Sequence, residues 1–452
     1  MSNTLATRLF ISACALTRTT ELAAGRVGAS FFLPALFVLR YANMGALAPA
    51  LFAHQLAAAR SFQDERWCGY WDAIAEQHLT AAEQALLELG APISPGLLDA
   101  AARLGSRAPV APLREPLALA APILLDHGPQ PSAQALEQII REHSTNDPAE
   151  QLIRAYTALD AWIKAITYYQ VSAFPGHTPA RTRAYWRSRR LFDALVTVLA
   201  PSLGVTIEHI EIPVEGDLVR GYLVLPPGAG PHPTVLLTNG LEGTVQELLI
   251  PLLRYRNNGL GTFVMEMPGS YVYSQPMSGQ SQRIYHQVID HLVDDPRVDA
   301  DRIGMVGVSF GGYWSTRMAA TDPRLRCVVS CGAPTHNSFQ AGGSLGIPEI
   351  ITQALRGTTH ATSLLHLTRK LRELSLREMY RKIHIPLLVI NGDHDTLLST
   401  QDSVELAEHA HNATLKLYPD DDHCAMRHYH EWLDESQRWL HDHLGRNTTP
   451  QP

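Results

Sequence analysis

The sequence predicts an α/β fold: a doubly wound, mostly parallel sheet of eight strands with an antiparallel start, preceded by an all-helical region. Three observations carry this. Apolar residues recur at three-to-four spacing before Gly204, the period changes there, and beyond it short β-rich runs alternate with helical stretches. The boundaries that follow are a helical N-terminal domain over 1–203 and an α/β domain over 204–446. A cap insertion over about 336–384 and a disordered tail over 447–452 complete the chain.

In order along the chain, Ser30 to Ala53 is an apolar stretch of membrane-span length. Arg40 in its middle and the interruptions at Pro34, Asn43 and Pro49 make it a buried helical hairpin instead, because a charge and helix breaks are costly in hydrocarbon. From Gln63 to Leu89, Trp67, Trp71, Ile74, His78, Ala81 and Ala85 define one helical face, stopped by Gly90. Eight prolines between Pro92 and Pro131 require short helices joined by turns. Asp147-Pro148 is an N-cap followed by proline at the first helical position, opening a run through Tyr156, Trp162, Ile166 and Tyr169. A further helix after Pro179 carries Tyr185, Trp186 and Phe192.

The strands begin with Val205–Pro213 and Leu218–Pro226, a hairpin closed by Val214-Glu215-Gly216-Asp217. Six more follow: Thr234–Thr238, Thr262–Met267, Ile303–Val308, Cys327–Gly332, Leu387–Asn391 and Thr414–Tyr418. His336 to His384 is too long for a plain connection. Its helical runs Ile347–Leu355 and Ser363–Lys382 read as a small cap beside a pocket.

Composition narrows the class of function. The 452 residues are 45% apolar and 18% charged, too apolar for a mainly disordered chain, and 37 Lys+Arg against 44 Asp+Glu give a net charge of −7. A nucleic-acid binder needs a basic face, which this balance does not supply. The five scattered cysteines, without Cys-x-x-Cys spacing, argue against a disulfide framework or a zinc site and fit a reducing cytoplasm. The run Leu9 to Leu16 after Arg8 lacks the cleavage motif of a signal peptide.

The sharpest chemical signal is Gly307-Val308-Ser309-Phe310-Gly311-Gly312, directly after a strand and directly before the helical stretch Tyr313 to Ala320. Such a turn strains its central residue and raises the serine hydroxyl above the sheet edge, with glycines where chains pass closely. A serine hydroxyl needs a base held by an acid, in the order Ser, Asp or Glu, His. The strand Leu387–Asn391 ends in Gly392-Asp393-His394-Asp395; Asp395 is the acid of choice, since two residues after Gly392 let the chain turn back, with Asp393 as the alternative. His423, after a strand and the turn Pro419-Asp420-Asp421-Asp422, is the base. His428, His430, His441 and His443 read as solvated positions in or beside the terminal helix.

An oxyanion requires preorganised backbone donors. These are Phe310 N–H and, from the loop Asn239-Gly240-Leu241-Glu242-Gly243, Leu241 N–H. Glu242 is unusual there, because a carboxylate repels an oxyanion unless it is protonated, paired or turned to a polar group of the substrate. Its plainer readings are a solvent-facing residue or a cap for the next helix.

The stretches Gly240-Leu241-Glu242-x-Thr244-x-x-Glu247, Met267-Pro268-Gly269, Val298-Asp299-x-Asp301-Arg302-Ile303-Gly304 and the Ser309 elbow running through Gly312-Tyr313 resemble one branch of the α/β-hydrolases. It includes dihydroxypseudooxynicotine hydrolase, the fermentation/respiration-switch esterase-like proteins and fungal polyketide-shortening hydrolases. The likeness spans most of residues 150 to 440; Asn239 departs from the branch's Gly-Gly-Leu. The resemblance implies a helical lid over the serine, hydrolysis of an ester or of a C–C bond next to a ketone, and a homodimer. It further implies that Glu242 contacts the substrate, by positioning a phenol or enol hydroxyl.

The functional expectation is therefore a serine-triad hydrolase of a β-dicarbonyl, polyketide-like or aromatic carbonyl compound, or of an ester, needing no cofactor and no metal. Its partner is that small molecule, with no nucleic acid and no membrane. Tyr156, Trp162, Tyr168, Tyr169, Tyr271 and Tyr273 are either core residues or the lining of an aromatic cavity. The alternatives are a simple carboxylesterase or thioesterase, an oligopeptidase-like enzyme, and a non-hydrolytic lyase, cyclase or partner-binding regulator of natural-product assembly.

Overall fold

A computed structural model describes residues 5–34, 36–118, 120–126, 138, 149–214, 216–340 and 346–445. The expected cap at Asp147-Pro148, the end of the proline-rich segment and the tail 447–452 lie outside the described residues.

The chain enters the sheet through a hairpin of β1 (Thr206–Val214) and β2 (Asp217–Leu225), then β3 (His232–Thr238), β4 (Gly261–Met265), β5 (Val298–Val308), β6 (Leu325–Cys331), β7 (Leu387–Gly392) and β8 (Ala413–Tyr418). Spatial order is β1-β2-β4-β3-β5-β6-β7-β8. The hairpin pairs from Thr206↔Leu225 to Val214↔Asp217, β2 runs antiparallel to β4, and every other pairing is parallel. Leu387-Leu388-Val389-Ile390 is buried throughout, the pattern of a parallel strand covered on both faces. All eight predicted strands are present. β5 starts earlier than Ile303, because Val298 pairs with His232 at the beginning of β3, with a register shift before Thr234 meets Ile303.

Before the sheet lie long helices at Asp64–Glu88, Ala149–Ala173 and Pro179–Leu203. The last has Pro179 in its first turn and ends at Gly204, whose φ of 66° is the left-handed conformation that glycine supplies at a helix terminus. The proline-rich stretch makes the short helices Leu97–Leu104, Arg114–Leu117 and Ala120–Asp126. Ser30 to Ala53 contributes a single turn and the short helices Phe37–Gly45 and Pro49–Ala58. No helix among the described residues is long and apolar enough to cross a membrane.

Helices and sheet share one apolar core. Trp71, Trp162 and Phe192 belong to the same buried cluster as Val235, Val306 and Ile390 of the sheet. The opposite sheet face packs Met305 and Val389 against Trp314. Burying each such large side chain is worth about 1.5–3 kcal/mol. Gly204 thus marks a change of secondary structure across a continuous interior. Between β6 and β7, the helices Glu349–Thr359 and Leu364–Arg372 bring a further wall over the carboxyl ends of the strands.

Candidate active site

At the end of β5 the chain turns sharply at Ser309, φ 56° and ψ −122°, and enters the helix Phe310–Thr321. A non-glycine residue at positive φ costs about 1–3 kcal/mol and persists only where the surroundings over-determine it. The flanking glycines make room: a Cβ on Gly307 would overlap the Gly311 carbonyl, and one on Gly311 would overlap that of Thr238. Ser309 N–H donates to the Cys331 carbonyl at 2.7 Å, tying the turn to β6.

His423 Nε2 lies 2.8 Å from Ser309 Oγ, and its Nδ1 lies 2.8 Å from Asp395 Oδ2. Asp395 is the carboxylate that the structure brings to the imidazole. Asp393 instead faces solvent and pairs with His394. Asp395 also accepts N–H bonds from Leu397 (3.0 Å), Leu398 (2.7 Å) and Asn391 Nδ2 (3.0 Å). Burial works to raise its pKa, but His423 and these donors hold it below the usual carboxylate value. For His423, burial disfavours the imidazolium, the Cys424 sulfur and the Asp395 carboxylate favour it, and the balance lies well above the ordinary imidazole value. Burial keeps the Cys424 thiol neutral, so Asp395 is the charged group in this balance.

Sequence reasoning missed Asn391. Besides donating from Nδ2 to Asp395, it accepts at Oδ1 from Gly392 N–H and Cys424 N–H, both at 2.9 Å, so it joins the Asp395 loop to the His423 loop. Asp422 does the same, accepting from Thr396 N–H at 2.6 Å and His423 N–H at 2.7 Å. His428 is half-buried against Asp421 at 2.8 Å, while His430, His441 and His443 are exposed.

Ser309 and His423 open on a cleft of about 1070 Å³ including its mouth, which Phe310, Gly240 and Leu241 also line. Its walls are mainly apolar and come from three separate parts of the chain. Pro34, Leu36, Phe37, Met44 and Phe174 belong to the helical region, Ile347, Ile351, Leu355 and Leu371 to the segment between β6 and β7, and Leu397, Leu398 and Met426 to strand-end loops. The aromatic lining is Phe37, Phe174, Phe310 and Phe339. None of the six tyrosine and tryptophan residues read from sequence as core or cavity lining borders it; five are buried in the interior and Tyr271 is half-buried against the same core. Periodicity shows that such a ring is buried without showing what it is buried against.

The loop after β3 sits directly on Ser309, since a Cβ on Gly240 would fall 2.6 Å from Ser309 Cβ. Gly243 N–H donates to the Gly240 carbonyl at 3.0 Å, closing a turn with Leu241 and Glu242 at its centre. Glu242 does not line the cleft. Its side chain is fully buried, with Oε2 accepting from Gly176 N–H at 3.0 Å and Oε1 lying 3.1 Å from His177 Nε2. Burial raises its pKa, but His177, Gly176 and Tyr271 bring it below the usual value, so the group is charged. His177 is shifted upward, Glu242 prevailing over burial.

Arg40, read from sequence only as an obstacle to a membrane span, lies in the cleft wall. Its Nε and Nη2 reach Glu247 at 2.5 and 2.9 Å, and Nη2 also donates to the Glu242 carbonyl at 3.1 Å. Glu247 closes a capping box with Thr244 at the start of the helix Val245–Leu252. The Thr244-x-x-Glu247 spacing carried that signal. Nearby, Glu266 is fully buried against Tyr185 (3.0 Å) and Arg189 (3.4 Å).

An eight-stranded sheet in this order, with a serine at positive φ in the turn after its fifth strand and a histidine and an aspartate from later strand ends beside it, defines an α/β-hydrolase. The helical N-terminal region is built onto that fold. The chain belongs to the FrsA-like esterase family: the model described as "Esterase FrsA-like" matches residues 146–445. It is accordingly an enzyme, a hydrolase of the esterase type. It is similar to the 2,6-dihydropseudooxynicotine hydrolase of Paenarthrobacter nicotinovorans, with 28% identity over 257 residues, 56% of this chain and 69% of that protein. To Esterase FrsA of Vibrio cholerae the identity is 24% over 297 residues, 64% of this chain and 71% of that one. The solved structure of the 2,6-dihydroxy-pseudo-oxynicotine hydrolase superposes with a TM-score of 0.64 at 19% identity, covering 91% of this chain and 98% of the other. That likeness in fold includes the N-terminal helices.

Proposed function

We propose that Ser309, His423 and Asp395 form a serine-hydrolase relay that acts on a carbonyl compound with a bulky, mainly apolar acyl part. The substrate is an ester, or a β-dicarbonyl of polyketide-like or aromatic type cleaved at the C–C bond next to the ketone. The observation that carries this reading is the unbroken contact from Asp395 to His423 to Ser309, 2.8 Å at each step, at the floor of an apolar cleft.

Ser309 Oγ attacks the carbonyl carbon while His423 Nε2 takes its proton, and Asp395 holds the imidazole in the tautomer that accepts there. The tetrahedral oxyanion is received by Phe310 N–H, at the positive end of its helix, and by Leu241 N–H. Collapse breaks the bond to the leaving group, which departs with the proton from His423: an alcohol from an ester, an enol or ketone from a β-dicarbonyl. Water then attacks the acyl-enzyme, giving its proton to His423, and Ser309 leaves with that proton. The residues so assigned need no metal or cofactor.

A fluorophosphonate probe tests the relay. Labelling of wild type and its loss in Ser309→Ala are expected; equal labelling of both would overturn the proposal. A panel of aryl esters and aryl 1,3-diketones read by mass spectrometry separates the two substrate types. Turnover of esters alone would remove the C–C part of the reading.

A further inference from the structure

The turn that carries Leu241 has Glu242 in its third position at φ 58°. A positive φ at that place in a β-turn is ordinarily supplied by glycine or asparagine. A glutamate there is strained by about 1–3 kcal/mol and must be held by its surroundings. It is gripped at both ends. Its carbonyl accepts from Arg40, and its carboxylate accepts from Gly176 N–H and faces His177. Arg40 is fixed in turn by its two-pronged bond to Glu247. Arg40, Gly176 and His177 all precede the sheet, so most of the grip comes from the helical region, and Tyr271, after β4, adds a further bond to the carboxylate.

We infer that Glu242, clamped by Arg40, Gly176 and His177, is a positioning residue for the oxyanion site. The clamp sets the 240–243 turn so that Leu241 N–H points at the developing oxyanion, and docking of the helical region thereby completes the catalytic geometry. This rests on Ser309 being the nucleophile. The pairing also explains how a charged carboxylate is tolerated one residue from an oxyanion: its charge is directed into the His177 side and away from the cleft.

The test is Glu242→Asn. Asparagine tolerates the left-handed conformation but is too short to span to Gly176 and His177, so it removes the clamp while sparing the backbone. Loss of one well-aimed donor costs about 10²–10³ in kcat, and a donor that is present but loose is expected to cost about 10–100-fold, with KM within about threefold. Differential binding supplies the decisive readout. An alkyl trifluoromethyl ketone, which adds to the serine as a charged hemiketal, is expected to lose affinity by the same factor as kcat. The matching unfluorinated ketone is expected to bind unchanged. Glu242→Gln, which keeps an acceptor for Gly176 N–H, is expected to recover most of the activity.

Unchanged kcat and trifluoromethyl ketone affinity in a folded Glu242→Asn protein would overturn the clamp. So would a rise in KM at constant kcat, which would make Glu242 a substrate contact. If Glu242→Asn shows no cooperative melting, Arg40→Lys and His177→Asn face the same pair of ketones with the same expected and overturning results. Activity that survives Ser309→Ala removes the nucleophile and the clamp together. A Ser309-dependent enzyme indifferent to the clamp variants removes the clamp alone.

Discussion

Replacing Gly240 by alanine sets one methyl group against Ser309. Its Cβ would lie 2.6 Å from Ser309 Cβ, 3.0 Å from Ser309 Oγ and 3.2 Å from the Val308 carbonyl oxygen. Two of those three neighbours are main chain or the stem of a short side chain in a strained turn, so neither swings aside. Restoring ordinary contact requires the loop to withdraw by about 1 Å, and Leu241 N–H moves with it. A misplacement of that size costs about 100-fold in rate, or about 3 kcal/mol of transition-state stabilisation, while overpacking costs about 1–3 kcal/mol of stability. The expected outcome is a folded protein, a few degrees less stable, with kcat on an aryl ester down about 100-fold and KM far less changed. Steady-state kinetics with calorimetric melting measure both. A Gly240→Ala enzyme retaining more than half of the wild-type kcat would refute the placement of this loop against Ser309 and the donor role of Leu241 with it.

Three other outcomes are open to measurement. Asp395→Asn keeps the shape but favours the wrong imidazole tautomer, and kcat is expected to fall about 10⁴-fold; a loss under tenfold would pass the acid's role to another group. His423 must be neutral to accept a proton and its pKa is shifted upward, so the acid limb of kcat/KM is expected above the ordinary imidazole value of about 6.5. A limb centred below about pH 6 would contradict the pairing with Asp395. Burial, opposed by Arg189 and Tyr185, raises Glu266 from 4.5 to about 6. Between those values the folded chain holds a proton that the unfolded chain has released. Its contribution to stability is therefore complete below about pH 4.5 and falls by about 2 kcal/mol as the pH rises through 6. Urea unfolding at about pH 5 and about pH 7.5 is expected to show a smaller loss in Glu266→Gln than in wild type, and equal losses would refute the assignment.

The sheet was readable because its central strands are short apolar runs bounded by turn residues, and Ser309 because its turn demands glycines on both sides. Asp395 and His423 followed from chain order and strand ends. What stayed hidden was long-range. Arg40 and Glu247 are 207 residues apart, and no local pattern announces that they share two hydrogen bonds. The same limit applied to the cleft. The run Ser30 to Ala53 was recognisably buried, yet Phe37 and Met44 line the cleft while Tyr41 and Phe52 do not, a division that depends on where the helix docks. Glu242 stood out by its chemistry, and its partner His177 sits in a loop with no periodicity to read.

Glu242, Glu247 and Glu266 have side chains no more than 3% exposed, and the groups that meet their charges, His177, Arg40 and Arg189, all stand before Gly204. This constrains how relatives with different N-terminal helices can exchange parts. A chimera joined at Gly204 would inherit three buried anions from one parent and their counter-charges from the other, and each mismatch leaves an unpaired ion at a cost of about 3–5 kcal/mol. The helices and the sheet can therefore diverge in their surfaces and in the apolar walls of the cleft, but these three acid–base couples must change hands together.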